Sequence, residues 1–188
     1  MIFHKTDLTD AMLVEAVIRG DERGSFARTM DRQLFEEQGL KADFVQQNTS
    51  VSANKGTLRG MHFQLQPHTE AKFVRCIRGA IVDVIVDIRR GSPTFMRHGK
   101  FELSAAANRM LYVPEGFAHS FQTLVDDCEV TYLVTAAYAP DSERGLRWSD
   151  PRLGIEWPLP VTTISPKDDS WPLLESDEPD FFDYESNA

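Results

Sequence analysis

Long apolar runs are missing from the 188 residues. None approaches the roughly 18 that a membrane-spanning helix needs, so no membrane span is expected. Cysteine is scarce. Cys76 and Cys128 are the only two, and they form no CxxC pair. They read as buried thiols of a cytoplasmic protein rather than as a disulfide framework or a metal site. The first ten residues carry Asp7 and Asp10 and no apolar core, so no secretory leader is expected there. Positive charge is in deficit, with 20 Lys+Arg against 29 Asp+Glu and a net charge of −9. A net-negative surface repels a phosphate polymer, which argues against a nucleic-acid-binding protein. The deficit is uneven: Glu175, Asp177, Glu178, Asp180, Asp183 and Glu185 crowd the last residues, with no Lys or Arg among them. A glycine-rich phosphate loop of the Walker or Rossmann type is also absent, so any phosphate must be held by side chains.

Helical periodicity is scarce too. One short helix is predicted over 32–38, with Leu34 and Phe35 apolar and Gly39 as its stop. Short, β-branched, turn-bounded runs predict strands over 11–18, 43–47, 57–64, 72–77, 80–88, 97–103, 109–113, 119–124 and 129–134. In 80–88, Val82, Val84 and Val86 share one face, and Ile81, Asp83, Ile85 and Asp87 the other. Many short strands with turn signals at about 8–12-residue spacing describe an antiparallel sandwich or barrel. From about residue 139 prolines and three tryptophans (Trp148, Trp157, Trp171) change the texture. That stretch is expected to be an irregular wrap on the barrel. The expected organisation is one domain over residues 1–172, then an acidic tail over 173–188. The tail is expected to be mobile after Leu174, with Phe181, Phe182 and Tyr184 able to dock on a neighbour.

Two histidines stand out. His62 lies on a predicted strand in Gly56-Thr-Leu-Arg-Gly-Met-His-Phe-Gln64. His119 lies in Pro114-Glu-Gly-Phe-Ala-His119, where a Pro-x-Gly turn is expected to deliver it to the start of the next strand. Both can point into one barrel, whose mouth is a common ligand site. Each can equally be a core histidine bonded to a backbone carbonyl. The PxGxxH element resembles the second signature of the cupin superfamily. In the first signature Gly56 and His62 match, but Gln64 stands where a second metal-binding histidine is usual, with Glu70 near the expected acid. A first-row metal wants three or four converging ligands, so no metal is expected. The cations Arg23, Arg28, Arg59, Lys72, Arg75 and Lys167 lie near elements that can face the mouth. They suit an anionic ligand, or simply paired and solvated faces. Tyr132 and Tyr138 fit rim packing or proton transfer, and Asp168 fits a turn or a partner for a histidine.

Several stretches together resemble the dTDP-4-dehydrorhamnose 3,5-epimerase family, the RmlC-type cupins. They include Asp21-Glu-Arg-Gly24, Gln46-Gln-Asn48, the stretch through Arg59 and His62, and Lys72-Phe-Val-Arg75. Further along come Val82 to Arg89, Pro114 to His119, Glu143 to Pro151, and Ser165-Pro-Lys-Asp168. They run in the family's order over residues 11–170. The resemblance implies an all-β, double-stranded β-helix (jelly roll) with short peripheral helices, a homodimer, and no cofactor. It implies a nucleotide-diphosphate sugar as partner, a dTDP-linked 4-keto-6-deoxyhexose. It implies His62 as the base that removes the protons at C5 and C3, oriented by Asp168. Lys72 then sits at the enolate oxygen, and Tyr132 returns a proton on the opposite face. Arg23, Gln46, Gln47, Asn48, Arg59, His119, Glu143 and Lys167 match substrate-binding positions, and Tyr138 and Arg28 join them as candidates. Arg28 stands where the family usually has a Glu, which puts the nucleotide preference in question. Ser120 replaces a common Gly, and a narrower pocket is expected from it.

The leading expectation is therefore a nucleotide-sugar epimerase. A metal-dependent cupin oxygenase or isomerase using His62, Glu70 and His119 is the second. A non-catalytic sugar-binding cupin is the third, disfavoured because binding alone needs no acid–base pair.

Overall fold

The computed structural model describes residues 1–174 and 181–183. Its strands are β1 (Ile2–Lys5), β2 (Met12–Glu15), β3 (Ile18–Asp21), β4 (Gly24–Ala27), β5 (Gln46–Ser52) and β6 (Leu58–Gln64). Then come β7 (Lys72–Arg78), β8 (Ala80–Asp87), β9 (Arg89–Arg90), β10 (His98–Ser104) and β11 (Arg109–Val113). The last are β12 (Phe117–Thr123), β13 (Cys128–Val134), β14 (Glu143–Gly145) and β15 (Phe182–Asp183). The one α-helix among the described residues, α1 (Arg32–Glu37), lies between β4 and β5.

Two antiparallel sheets face each other, as in a jelly roll. The six-stranded sheet runs β1-β2-β11-β7-β13-β5, and the five-stranded sheet runs β10-β8-β12-β6-β14. Strand alternation decides what lies between them. On β8, Ile81 and Ile85 enter the central cluster with Val74, Cys76, Leu111, Phe121 and Val130. Val84 and Val86 of the same strand face outward, into a second cluster with Met61, Phe63 and Ala118. The five-stranded sheet is therefore buried on both faces, which explains the near-continuous apolar run of β8. Its outer face is covered by Leu146, Leu153, Ile155 and Trp157 from the irregular wrap. Gln122 on β12 clips the wrap in both directions, donating to the Leu159 carbonyl and accepting from the Leu159 N–H. A third cluster covers the outside of the six-stranded sheet around Phe35 of α1. Phe35 is fully buried, with edge-on contacts to Phe3, Phe44, Phe73 and Tyr112. Asp31 caps α1 by accepting from the Leu34 N–H.

The structure redraws some predicted elements. The run 11–18 is broken, because the chain leaves β2 after Glu15 and starts a separate hairpin at Ile18. The strand expected at 43–47 begins only at Gln46, since Phe44 turns in to pack on Phe35 and Phe73. His119 is the third residue of β12, not its first. The turn before it needs Gly116, with φ of +76°, where a Cβ would sit 2.4 Å from Arg89 Cγ. The tail also differs from expectation. Phe181 packs edge-on against Phe95, and Phe182 against Phe63. β15 pairs in parallel with β9, so this part of the tail docks on its own barrel. Tyr184 and the acids Glu175, Asp177, Glu178, Asp180 and Glu185 lie outside the described residues. Both cysteines are free and buried, and burial pushes the Cys76 thiol up to about 11.

Truncating the two aromatic anchors separates core from latch. Phe35→Ala is expected to cost about 3–5 kcal/mol, and the half-buried Phe182→Ala about 1–2 kcal/mol. Urea unfolding of both variants checks this order.

Candidate active site

A cleft of about 450 Å³ opens between the two sheets. Ser50, Lys72 and Tyr132 reach it from the six-stranded sheet, and Leu58, Arg59, His62, His119 and Phe121 from the five-stranded one. Residues 163–165, Lys167 and Asp168 close one wall. That wall is held against β6 by the Leu58 N–H, which donates to the Thr163 carbonyl.

The centre of the cleft is an imidazole–carboxylate pair. His62 Nε2 lies 2.7 Å from Asp168 Oδ1. Met61 and Phe63 point into the outer cluster, so alternation turns His62 inward. Asp168 is almost fully buried, and its second oxygen accepts from the Gly60 N–H at 3.0 Å. Its own N–H donates to Ser165 Oγ at 3.0 Å. Burial opposes ionisation of Asp168. The His62 hydrogen bond, the Gly60 N–H and the His62 charge outweigh it, and the carboxyl is held below the usual range. Gly60 is required at this spot: its φ is +113°, and a Cβ would lie 2.5 Å from the His119 carbonyl oxygen. With the ring proton on Nε2, bonded to Asp168, Nδ1 keeps its lone pair for work in the cleft.

Other groups are set by equally local causes. Lys72 precedes Val74 and Cys76 on the inward face of β7, is buried, and pairs with the Glu70 carboxylate. Burial pushes the Tyr132 phenol above its ordinary pKa, and the Glu70 charge adds to this while Arg59 opposes it. Tyr132 therefore keeps its proton at neutral pH. At the rim Glu143 accepts from Lys167 and from the Tyr138 hydroxyl. Burial opposes ionisation of Glu143, yet these two bonds and the Lys167 and His62 charges hold its carboxyl below the usual range. The Tyr138 N–H donates to Gln46 Oε1 at 2.8 Å, which joins β5 to this rim. Gln47 donates to Thr131 Oγ1, and Asn48 lies opposite Tyr132 in the β5–β13 register. Arg59 bonds Ser52 Oγ and the Val51 carbonyl, which holds its guanidinium over the mouth.

Arg59, His62, Lys72, His119, Tyr132, Lys167 and Asp168 thus converge, with Gln46, Tyr138 and Glu143 tied to their rim. Arg23, Arg28 and Gln47 do not join them: Gln47 bonds Thr131, which shares the outward face of β13 with Leu133. Arg23 is exposed on the β3–β4 hairpin and binds Asp21, and Arg28 pairs with Asp31 at the cap of α1. Arg75 is two residues from Phe73, on the outward face of β7. The narrower pocket expected from Ser120 is not found. Ser120 is fully buried, is not part of the cleft lining, and donates to the Arg59 carbonyl. The three residues of the metal reading are each engaged elsewhere: His62 with Asp168, Glu70 with Lys72, and His119 with Asp83. Among the described residues no cluster of three or more such side chains converges. Gln64, at the usual metal-ligand position, bonds the backbone of His68, Ala137 and Ala139 instead. Sequence reasoning missed Ser50, Phe121, Thr163 and Asp83. Asp83 had a signal: a carboxylate on an apolar strand demands a partner.

The family model for dTDP-4-dehydrorhamnose 3,5-epimerase matches residues 5–176. The chain belongs to this family. The dTDP-4-dehydrorhamnose 3,5-epimerase of Shigella flexneri is 46% identical over 165 residues, 87% of this chain and 91% of the relative. The Bacillus anthracis enzyme of that name, solved with TDP and PPi bound, is 43% identical with a TM-score of 0.89. That match covers 92% of this chain and 99% of the other. The Legionella pneumophila RmlC, in complex with dTDP-4-keto-L-rhamnose, is 39% identical with a TM-score of 0.92. Here the coverage is 98% of this chain and 99% of the other.

Asp168→Asn tests the electrostatics of the central pair. A carboxyl depressed in the folded state contributes stability that is complete above its unfolded pKa. It is lost as the pH falls through the folded value. The wild type is therefore expected to exceed Asp168→Asn in stability near neutrality, with the gap closing only in strong acid. Urea unfolding across about pH 2 to 7 measures that gap.

Proposed function

We propose that the chain is an isomerase that inverts C3 and C5 of a dTDP-linked 4-keto-6-deoxyhexose, yielding the dTDP-4-dehydrorhamnose form. One observation carries this: a carboxylate-oriented imidazole and a protonated phenol enter one cleft from opposite sheets, His62 from β6 and Tyr132 from β13.

The chemistry follows from that placement. His62 Nδ1 takes the proton from the carbon beside the C4 ketone. The C–H electrons move into the ring bond and on to the carbonyl oxygen, giving an enolate. The Lys72 ammonium stabilises the charge that grows there. Tyr132 then delivers its proton to the other face of the same carbon, and the stereocentre is inverted. Solvent reprotonates the phenolate and takes the proton from His62. The sugar's own ketone is the electron sink, so the reading includes no cofactor. Arg59, His119 and Lys167 supply the charge to hold the diphosphate, and an Arg fork suits its oxygens. Gln46, Asn48, Tyr138 and Glu143 form the rim where the nucleoside would lie. The reading treats residues 1–172 as one catalytic domain. The two buried thiols support a cytoplasmic setting.

The placement of Arg23 points to a homodimer. The β3–β4 hairpin exposes Val17, Ile18 and Phe26, the last at 68% of its surface. Strand β5 ends the six-stranded sheet, with Val45 and Val51 exposed beside it. Exposed apolar side chains of this kind suit an interface between copies. In that arrangement the hairpin carries Arg23 and Arg28 to the rim of the partner's cleft.

In D2O the wild type is expected to place solvent deuterium at C3 and C5 of dTDP-4-keto-6-deoxyglucose, followed by NMR. His62→Ala is expected to slow exchange at both carbons by about 10³-fold or more, the scale of a lost general base. A wild type that exchanges neither carbon sinks the reading. Subunit mixing tests the dimer. Arg23→Ala and His62→Ala proteins, each weak alone, are expected to regain activity when refolded together, because each hybrid then holds one site with both residues intact. Simple averaging of the two activities would place Arg23 outside the partner's site.

A further inference from the structure

A second imidazole–carboxylate pair lies behind the first. Asp83, the fourth residue of β8, is fully buried and sits in register between Phe101 of β10 and Phe121 of β12. Its Oδ2 lies 2.9 Å from His119 Nε2. Its Oδ1 is buried with no hydrogen-bond partner among the described residues. His119 is 8% exposed, lines the cleft, and faces His62 across the β6–β12 register.

A carboxylate inside an apolar strand is costly unless its oxygens are bonded. Asp87, four residues along the same strand, shows what a purely structural solution looks like. Arg89, Ser92 and Thr94 all donate to it, and both oxygens are used. Asp83 instead commits a single bond to a ring that reaches the cleft, and leaves an oxygen orphaned. Packing does not ask for that, since an apolar side chain of similar volume would fill the space at lower cost.

We propose that Asp83 is a positioning residue that makes His119 an anion clamp. By accepting from Nε2–H it fixes the tautomer and aims Nδ1 into the cleft. When a phosphoryl oxygen of the nucleoside diphosphate arrives, the ring takes a second proton from solvent, and Nδ1–H donates to that oxygen. The cleft already holds Arg59, Lys72 and Lys167, beside His62, Tyr132 and Asp168. Another cation among these lysines and this arginine is unfavourable without a counter-charge, and Asp83 supplies it from behind. The inference rests on the reading of His119 as a substrate-binding residue.

The test is ¹⁵N NMR of the histidine rings, with His119 assigned from a His119→Gln variant, together with dTDP titration and kinetics. In the free wild type, His119 is expected to carry its proton on Nε2, and saturating dTDP is expected to protonate Nδ1 as well. Asp83→Asn, whose amide donates to Nε2, is expected to move the lone proton to Nδ1. It is expected to weaken dTDP about tenfold and to raise KM about tenfold while kcat falls less than about threefold. In the Asp83→Asn/His119→Gln double variant the losses are not additive, because the pair acts as a unit. A bare Nε2 in the wild type, or fully additive losses, overturns the assignment. The wild-type spectrum decides even if Asp83→Asn does not fold. Failure of the wild type to bind dTDP would defeat the functional reading with it. Binding that leaves the His119 ring unchanged would defeat this inference alone.

Discussion

The hydrogen bond between His62 and Asp168 is the contact on which the rest of the site depends. Its partners are 106 residues apart in sequence, and only the wrap over the five-stranded sheet brings them together. The wrap is held by burial of Leu146, Leu153 and Trp157 on the outer face of that sheet, and by the Gln122–Leu159 clip. Apolar area thus supplies the energy, and two or three directional bonds supply the position. The Gly60 N–H completes the arrangement by holding the second oxygen of Asp168, so the carboxylate cannot rotate away from the ring.

The five-stranded sheet is costly to build because both faces must be dry. The same feature makes it a good platform. Side chains that point inward from β6, β8 and β12 stand on a packed sheet, and each imidazole is held by a carboxylate, so it keeps its orientation without a substrate. The charge distribution follows the same logic. A chain with a net charge of −9 still presents Arg59, Lys72 and Lys167 around one cleft. Two of these cations are paired with acids: Glu70 for Lys72 and Glu143 for Lys167. Such pairs hold cations at fixed positions in a partly buried place, where an unpaired one would be expensive.

The long strands of the two facing sheets were mostly legible, because β-branched alternation and turn residues are local signals. Strands β6, β7, β8, β10, β11, β12 and β13 fall within a residue or two of their predicted runs. Where prediction drifted, a distant partner won. Phe44 left its expected strand for the ring cluster around Phe35, and Phe182, expected to be able to dock on a neighbour, packs on Phe63 of its own barrel. Seven of the predicted site residues line one cleft, among them His62, Tyr132 and Asp168. Arg23 and Arg28, on and just after the β3–β4 hairpin, do not, because each pairs with a nearby acid, Asp21 and Asp31.

Residue chemistry was determined by the sequence itself: which side chains titrate, which carry fixed charge, which alternate along a strand. That is enough for an all-β architecture and for a short set of candidate site groups. The tertiary structure alone decided that Gln64 staples a loop, that Ser120 bonds a carbonyl, and that Asp83 stands behind His119. The reason is physical. A side chain's type is local, but its partner is whichever atom the packed sheets place within about 3 Å, and that distance is set by contacts far along the chain.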